Sequence, residues 1–92
     1  MTDKFGTPIQ RGDLIFHVRS KSFCVEPGIY VKDGKTGLPN ILHVSNTMLE
    51  YLKEGTTYCK ALHSSYIVKG LESQLDQKTL DIYLQMKTEL LK

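Results

Sequence analysis

The chain is poor in the features that most directly announce a function. It has only two cysteines, Cys24 and Cys59, far apart and with no Cys-x-x-Cys pair. That excludes the dense disulfide framework of small secreted domains and the paired spacing of structural zinc sites, and reduced thiols are expected. Charge of one sign is also lacking: twelve Lys and Arg against ten Asp and Glu leave a net charge of +2. So small an excess does not make nucleic-acid binding the default and leaves only local patches to argue from. No window approaches the ~18 apolar residues of a spanning helix, and Met1-Thr-Asp-Lys-Phe-Gly6 lacks the basic and then apolar run of a signal peptide. A soluble, cytoplasmic protein without membrane contact is expected. No phosphate loop, His-Glu-x-x-His, Gly-x-Ser-x-Gly or other catalytic signature is present, so no catalytic residue and no cofactor is assigned.

What the chain does contain is an ordinary globular composition, 40% apolar and 24% charged over 92 residues, far from the disordered class. One domain, residues 1–92, is expected, with a small core. The founding stretch is Ile9-Gln-Arg-Gly-Asp-Leu-Ile-Phe-His-Val18. Gly12-Asp13 is a turn dipeptide, because glycine reaches positive φ without steric cost and aspartate bonds nearby backbone N–H groups. The strand after it alternates, with Leu14, Phe16 and Val18 on one face and Asp13, Ile15, His17 and Arg19 on the other, the pattern of a half-buried strand.

Pro27-Gly28 reads as a turn closing a long connection. The second strand, Ile29-Tyr-Val-Lys32, then sets Ile29 and Val31 against Tyr30 and Lys32. Asp33-Gly34 is a hairpin signal, lengthened by Lys35-Thr-Gly-Leu-Pro-Asn40, and a third strand is expected over residues 41–44. Two readings compete over residues 45–55. Thr47-x-x-Glu50 fits a capping box and Gly55 a helix stop, giving a two-turn helix; alternatively, Met48 to Leu52 extends the third strand. Thr57 to Leu62 and Tyr66 to Lys69 read as two further short strands, ended by Gly70.

From Leu71 onward Gly and Pro disappear while Leu, Gln and Lys accumulate, all helix formers. Ser73 or Asp76 can cap a helix over residues 73–92. At ~100° per residue, Asp81, Gln85, Thr88, Glu89 and Lys92 gather on one side, and Leu80, Ile82, Tyr83, Leu84, Met86, Leu90 and Leu91 on the other. The apolar arc exceeds the roughly 100° a surface helix needs, so a second contact, such as another copy of the chain, is an alternative to packing on the protein's own strands.

Five short strands with Gly and Pro turns, then one helix, predict a mainly β fold. The expected architecture is a small SH3-like antiparallel barrel over residues 9–70, followed by a C-terminal amphipathic helix. The runs Arg11-Gly-Asp-Leu-Ile-Phe-His-Val18, Pro27-Gly-Ile-Tyr-Val-Lys32 and Ser64-Ser-Tyr-Ile-Val-Lys69, with the helical tail, resemble small SH3-like barrel proteins of tailed bacteriophages. The resemblance implies an accessory viral protein that acts in the host cytoplasm by binding host or phage macromolecules, and it supplies no catalytic residues. Arg11-Gly12-Asp13 before a hydrophobic strand is also similar to the opening of PemK-type RNA-cleaving toxins, an alternative that would make the chain an enzyme.

Basic and aromatic residues cluster around the first two strands. On an open barrel face they would combine phosphate contacts with base stacking. Arg11, Arg19, Lys21, Tyr30, Lys32 and Lys35 are the expected nucleic-acid-binding residues, with Phe23 beside them; the plainer reading is a solvated strand face. A helix-mediated partner or homodimer contact would use Ile82, Met86, Lys87 and Leu90. His17, His43, His63, Cys24 and Cys59 contain metal-ligating atoms, yet their spacing assigns no metal site. The same cysteines with His17 or His63 give no supported nucleophile-base pair. A non-enzymatic binding module for nucleic acid, or for a host or phage protein that handles it, is the leading expectation.

Overall fold

The structure is a computed structural model and describes residues 2–3, 5–18, 25–34, 38–57, 59–61 and 67–92. Its elements are β1 (Leu14–Val18), β2 (Val25–Asp33), β3 (Pro39–His43), α1 (Asn46–Lys53), β4 (Lys60–Ala61), β5 (Ile67–Lys69), a 3-10 turn (Glu72–Gln74) and α2 (Gln77–Leu90). All ladders are antiparallel, in the order β4-β3-β2-β1-β5. Four strands of three or more residues carry the sheet, and β4 adds a two-residue edge. Among the described residues no ladder joins β4 to β5, so the sheet they form is open.

The turn before β1 forms as its residues dictate. Gly12 has φ of +92°, the Asp13 carboxylate accepts from the Gln10 N–H at 2.8 Å, and the Asp13 N–H returns to the Gln10 carbonyl at 2.9 Å. β2 departs from expectation. It runs nine residues and passes straight through Pro27-Gly28, with Pro27 paired to Phe16 and Gly28 to Ile15. Pro27 lies beyond the last β2–β3 pair, Gly28 with His43, so a missing N–H costs little there. A register shift between Tyr30 and Lys32 is the bulge that bends this long strand.

The competition over residues 45–55 resolves to helix. Ser45, rather than Thr47, is the N-cap, its Oγ accepting from the Met48 N–H at 3.2 Å. Gly55 ends the helix at φ of +84°. Its N–H donates to the Leu52 carbonyl and that of Thr56 to the Tyr51 carbonyl, which together form a Schellman motif. In the tail, Asp76 rather than Ser73 is the N-cap of α2.

The sheet is buried on both faces. One packs Ile29, Val31 and Leu42 under Leu49 and Leu52 of α1 and Met86 and Leu90 of α2. The other gathers Ile9, Ile15, Tyr30, Ile41 and Ile67. The half-buried reading of β1 is therefore corrected: Leu14 is buried on the helix side, but Ile15 and His17 are buried on the other side, while Phe16 is only half-buried. α2 is locked to the first turn by Tyr83, whose hydroxyl donates to the Gly12 carbonyl at 2.9 Å. Burial foremost, with Glu72 and Asp13 nearby, pushes that phenol up to about 12. Among the described residues no helix is long and apolar enough to cross a membrane.

Candidate functional site

Of the six residues expected to contact nucleic acid, Arg19, Lys21 and Lys35 lie outside the described residues, as do Phe23, Cys24 and His63. Arg11 and Lys32 are exposed and share a corner of the sheet. There the Gly12 N–H donates to the Tyr30 carbonyl at 2.9 Å, and Arg11 Nη1 makes a long contact with the Val31 carbonyl at 3.4 Å. Tyr30 corrects the expectation. Its ring is buried in the second core and its hydroxyl donates to Asp33 Oδ1 at 2.7 Å, so it offers no face to a base. Burial, then the Asp33 carboxylate, raises its pKa to about 12.

The helix residues expected to meet a partner are also corrected. Met86 and Leu90 are buried, and Ile82 packs against the same cluster. Lys87 is half-buried, with its ammonium 6.0 Å from the centre of the Tyr83 ring. The wide apolar arc is thus largely consumed by the protein's own sheet and α1, because α1 adds a second wall that a single-sided lid would lack. Leu84 and Leu91 are what remains exposed, and Leu84 lines a shallow groove with Lys53, Gln85, Thr88 and Glu89. Cys59 is a half-buried free thiol against the helix-side core.

One convergence escaped the sequence reading. His17 and Glu26 are direct cross-strand partners, Gly28 follows two residues along β2, and Gly28 pairs with His43 on β3. Alternation along strands therefore puts His17, Glu26 and His43 on one face, the face that also carries Ile15, Tyr30 and Ile41. One ligand atom from each of the three lies within 4.8 Å of the others. His43 Nδ1 stands 3.8 Å from Glu26 Oε2, with the two side chains 32% and 28% exposed. The His17 and His43 rings are 5.6 Å apart, centre to centre, and tilted by 59°. His17 is 3% exposed. Gly28 lies beside the group: a Cβ there would stand 3.2 Å from both Ile41 Cδ1 and the Leu42 carbonyl oxygen and 3.7 Å from His17 Cδ2, so a larger side chain would press on Ile41 and the β3 backbone next to the cluster.

The group was hidden because its members meet through register, not through local spacing. Reading Pro27-Gly28 as a turn removed Glu26 from the second strand and with it the cross-strand pair. A continuous β2 paired to β1 is the signal that would have brought the three together.

Among the described residues, the other buried polar side chain has a structural role. Asp3, near the start of the chain, accepts from the N–H groups of Phe5 (2.9 Å), Thr7 (2.8 Å) and Lys69 (3.0 Å). The Lys69 N–H, against the opposing effect of burial and helped by those of Thr7 and Phe5, holds its carboxyl below the usual range. Comparison of the chain with protein-family models, with curated proteins and with solved structures gives no match.

Proposed function

We propose that the chain is a small non-enzymatic binding module of SH3-like barrel type, contacting a nucleic acid, or a protein that handles one, through the Arg11 and Lys32 corner. The observation that carries this reading is the seating of Arg11 against the carbonyl of Val31, beside exposed Lys32. This brings two cations distant in sequence to one rim. With Tyr30 buried, the contact is to phosphates rather than by stacking, and phosphate contacts position a nucleic acid without reading its sequence. Rolling of the sheet into a barrel is favoured by the bulged nine-residue β2, which pairs with both β1 and β3, and by a sheet covered on both faces. The similarity to phage barrel proteins favours an accessory viral role in a host cytoplasm.

The test is fluorescence anisotropy of a labelled single-stranded oligonucleotide across a salt series. Affinity is expected to fall steeply with salt, and Arg11→Ala with Lys32→Ala to flatten the log-log slope by about 0.7 per charge removed. A flat response in the unaltered protein, or an unchanged slope in the double variant, overturns the assignment to this corner.

A further inference from the structure

We propose that His17, Glu26 and His43 form a binding site for one divalent transition-metal ion of the zinc type, bridging β1, β2 and β3. Two imidazoles and one carboxylate are borderline donors that suit Zn²⁺ and its neighbours, and they are neither the thiolates of Cu(I) and iron–sulfur sites nor the all-oxygen shell of Mg²⁺ or Ca²⁺. Three protein donors of this kind leave room for water or a ligand atom in a fourth position. The site has an inner and an outer side. His17 is anchored in the buried layer beside Ile15 and Ile67, its partners across the ladders being Glu26 and Ile67. His43 and Glu26, each about a third exposed, form the solvent-facing rim.

The geometry sets the movement required. Donors about 2.0–2.1 Å from a tetrahedral zinc stand roughly 3.3 Å from one another, against the 4.8 Å within which the three now lie. Closure of up to about 1.5 Å follows, and it falls on His43 and Glu26, whose partial exposure leaves their side chains room to turn. His43 and Glu26, at 3.8 Å, need only a fraction of that. This inference is independent of the basic corner, since it involves neither Arg11 nor Lys32.

The probe is Zn²⁺ alone, titrated calorimetrically into the unaltered full chain, with Co²⁺ as a spectroscopic substitute. One equivalent is expected to bind with micromolar or tighter affinity and to raise the melting temperature by several degrees. Glu26→Gln and His43→Asn alter only the rim, and each is expected to weaken binding at least tenfold with an unchanged circular dichroism spectrum. His17→Gln should do the same, and should it fail to fold, the two rim variants decide the matter. Bound Co²⁺ should give visible bands of a four- or five-coordinate nitrogen and oxygen site. The proposal is overturned if the unaltered protein binds no zinc at millimolar concentration, if both rim variants bind as the unaltered protein does, or if bound Co²⁺ shows sulfur-to-metal charge transfer.

Discussion

The two faces of the sheet are built from the same strands and do different things. Under the helices, Ile29, Val31, Leu42, Met86 and Leu90 form a layer that is apolar throughout. On the opposite face, Ile9, Ile15, Tyr30, Ile41 and Ile67 form a second apolar layer, but along β1 and β2 it grades into His17, Glu26 and His43. A strand of period two must send alternate residues to opposite sides. Leu14 and Ile15, or Ile29 and Tyr30, thus belong to different cores although they are neighbours in sequence. One face is apolar packing, and the other carries a polar cluster at its rim.

The sharpest way to break this contrast is to empty each core in turn. Met86→Ala on the helix side and Ile15→Ala on the other, both fully buried, are each expected to cost about 2–5 kcal/mol in urea denaturation. A loss below about 1 kcal/mol for Ile15→Ala would mean that the second face is no core. Next in size is Tyr83→Phe, which leaves the Gly12 carbonyl without its donor and should cost about 1–3 kcal/mol. The same phenol and Tyr30 give a test by pH. Both stay neutral up to about 12 in the folded protein, whereas unfolded tyrosine ionises near 10. The stability they confer is complete below pH ~10 and is lost as pH rises from there toward ~12. Absorbance titration, read against Tyr30→Phe and Tyr83→Phe, should show these two phenols ionising late.

Smaller effects sit at the edges. Because Asp3 is held below its ordinary value chiefly by the Lys69 N–H, its contribution is present above pH ~4 and is lost as pH falls through the lowered value. The protection factor of the Lys69 amide, that is, its NMR exchange rate relative to the intrinsic rate at the same pH, should therefore fall on acidification, and in Asp3→Asn it should already be lowered at neutral pH. The smallest effect belongs to the rim of the polar cluster. Without metal, Glu26→Gln and His43→Asn should change stability by no more than about 0.5 kcal/mol, as measured by urea denaturation. A much larger loss would make these side chains structural.

Much of the fold is legible locally. The turn at Gly12-Asp13, the first and third strands, the stop at Gly55 and the terminal helix all follow from signals that act within a few residues. What could not be read depends on pairing. Pro27-Gly28 has the composition of a turn, yet the ladder with β1 carries the chain through it, and only a structure reveals that Pro27 lies past the end of the β3 ladder. The same mistake conceals the candidate site, since Glu26 becomes a neighbour of His17 only when β2 begins at Val25. Conversely, the cluster of basic and aromatic letters overstated a surface: composition does not say that Tyr30 points inward, which follows from its parity with Gly28 and Ile15.

The division between the faces is tested most directly by following backbone and imidazole NMR signals of the unaltered protein as one equivalent of Zn²⁺ is added. The account predicts shifts centred on His17, Glu26, Gly28 and His43, with Met86, Leu90 and the rest of the helix side unmoved. Shifts centred on the helices or on Cys59, or no shifts at all, would contradict it.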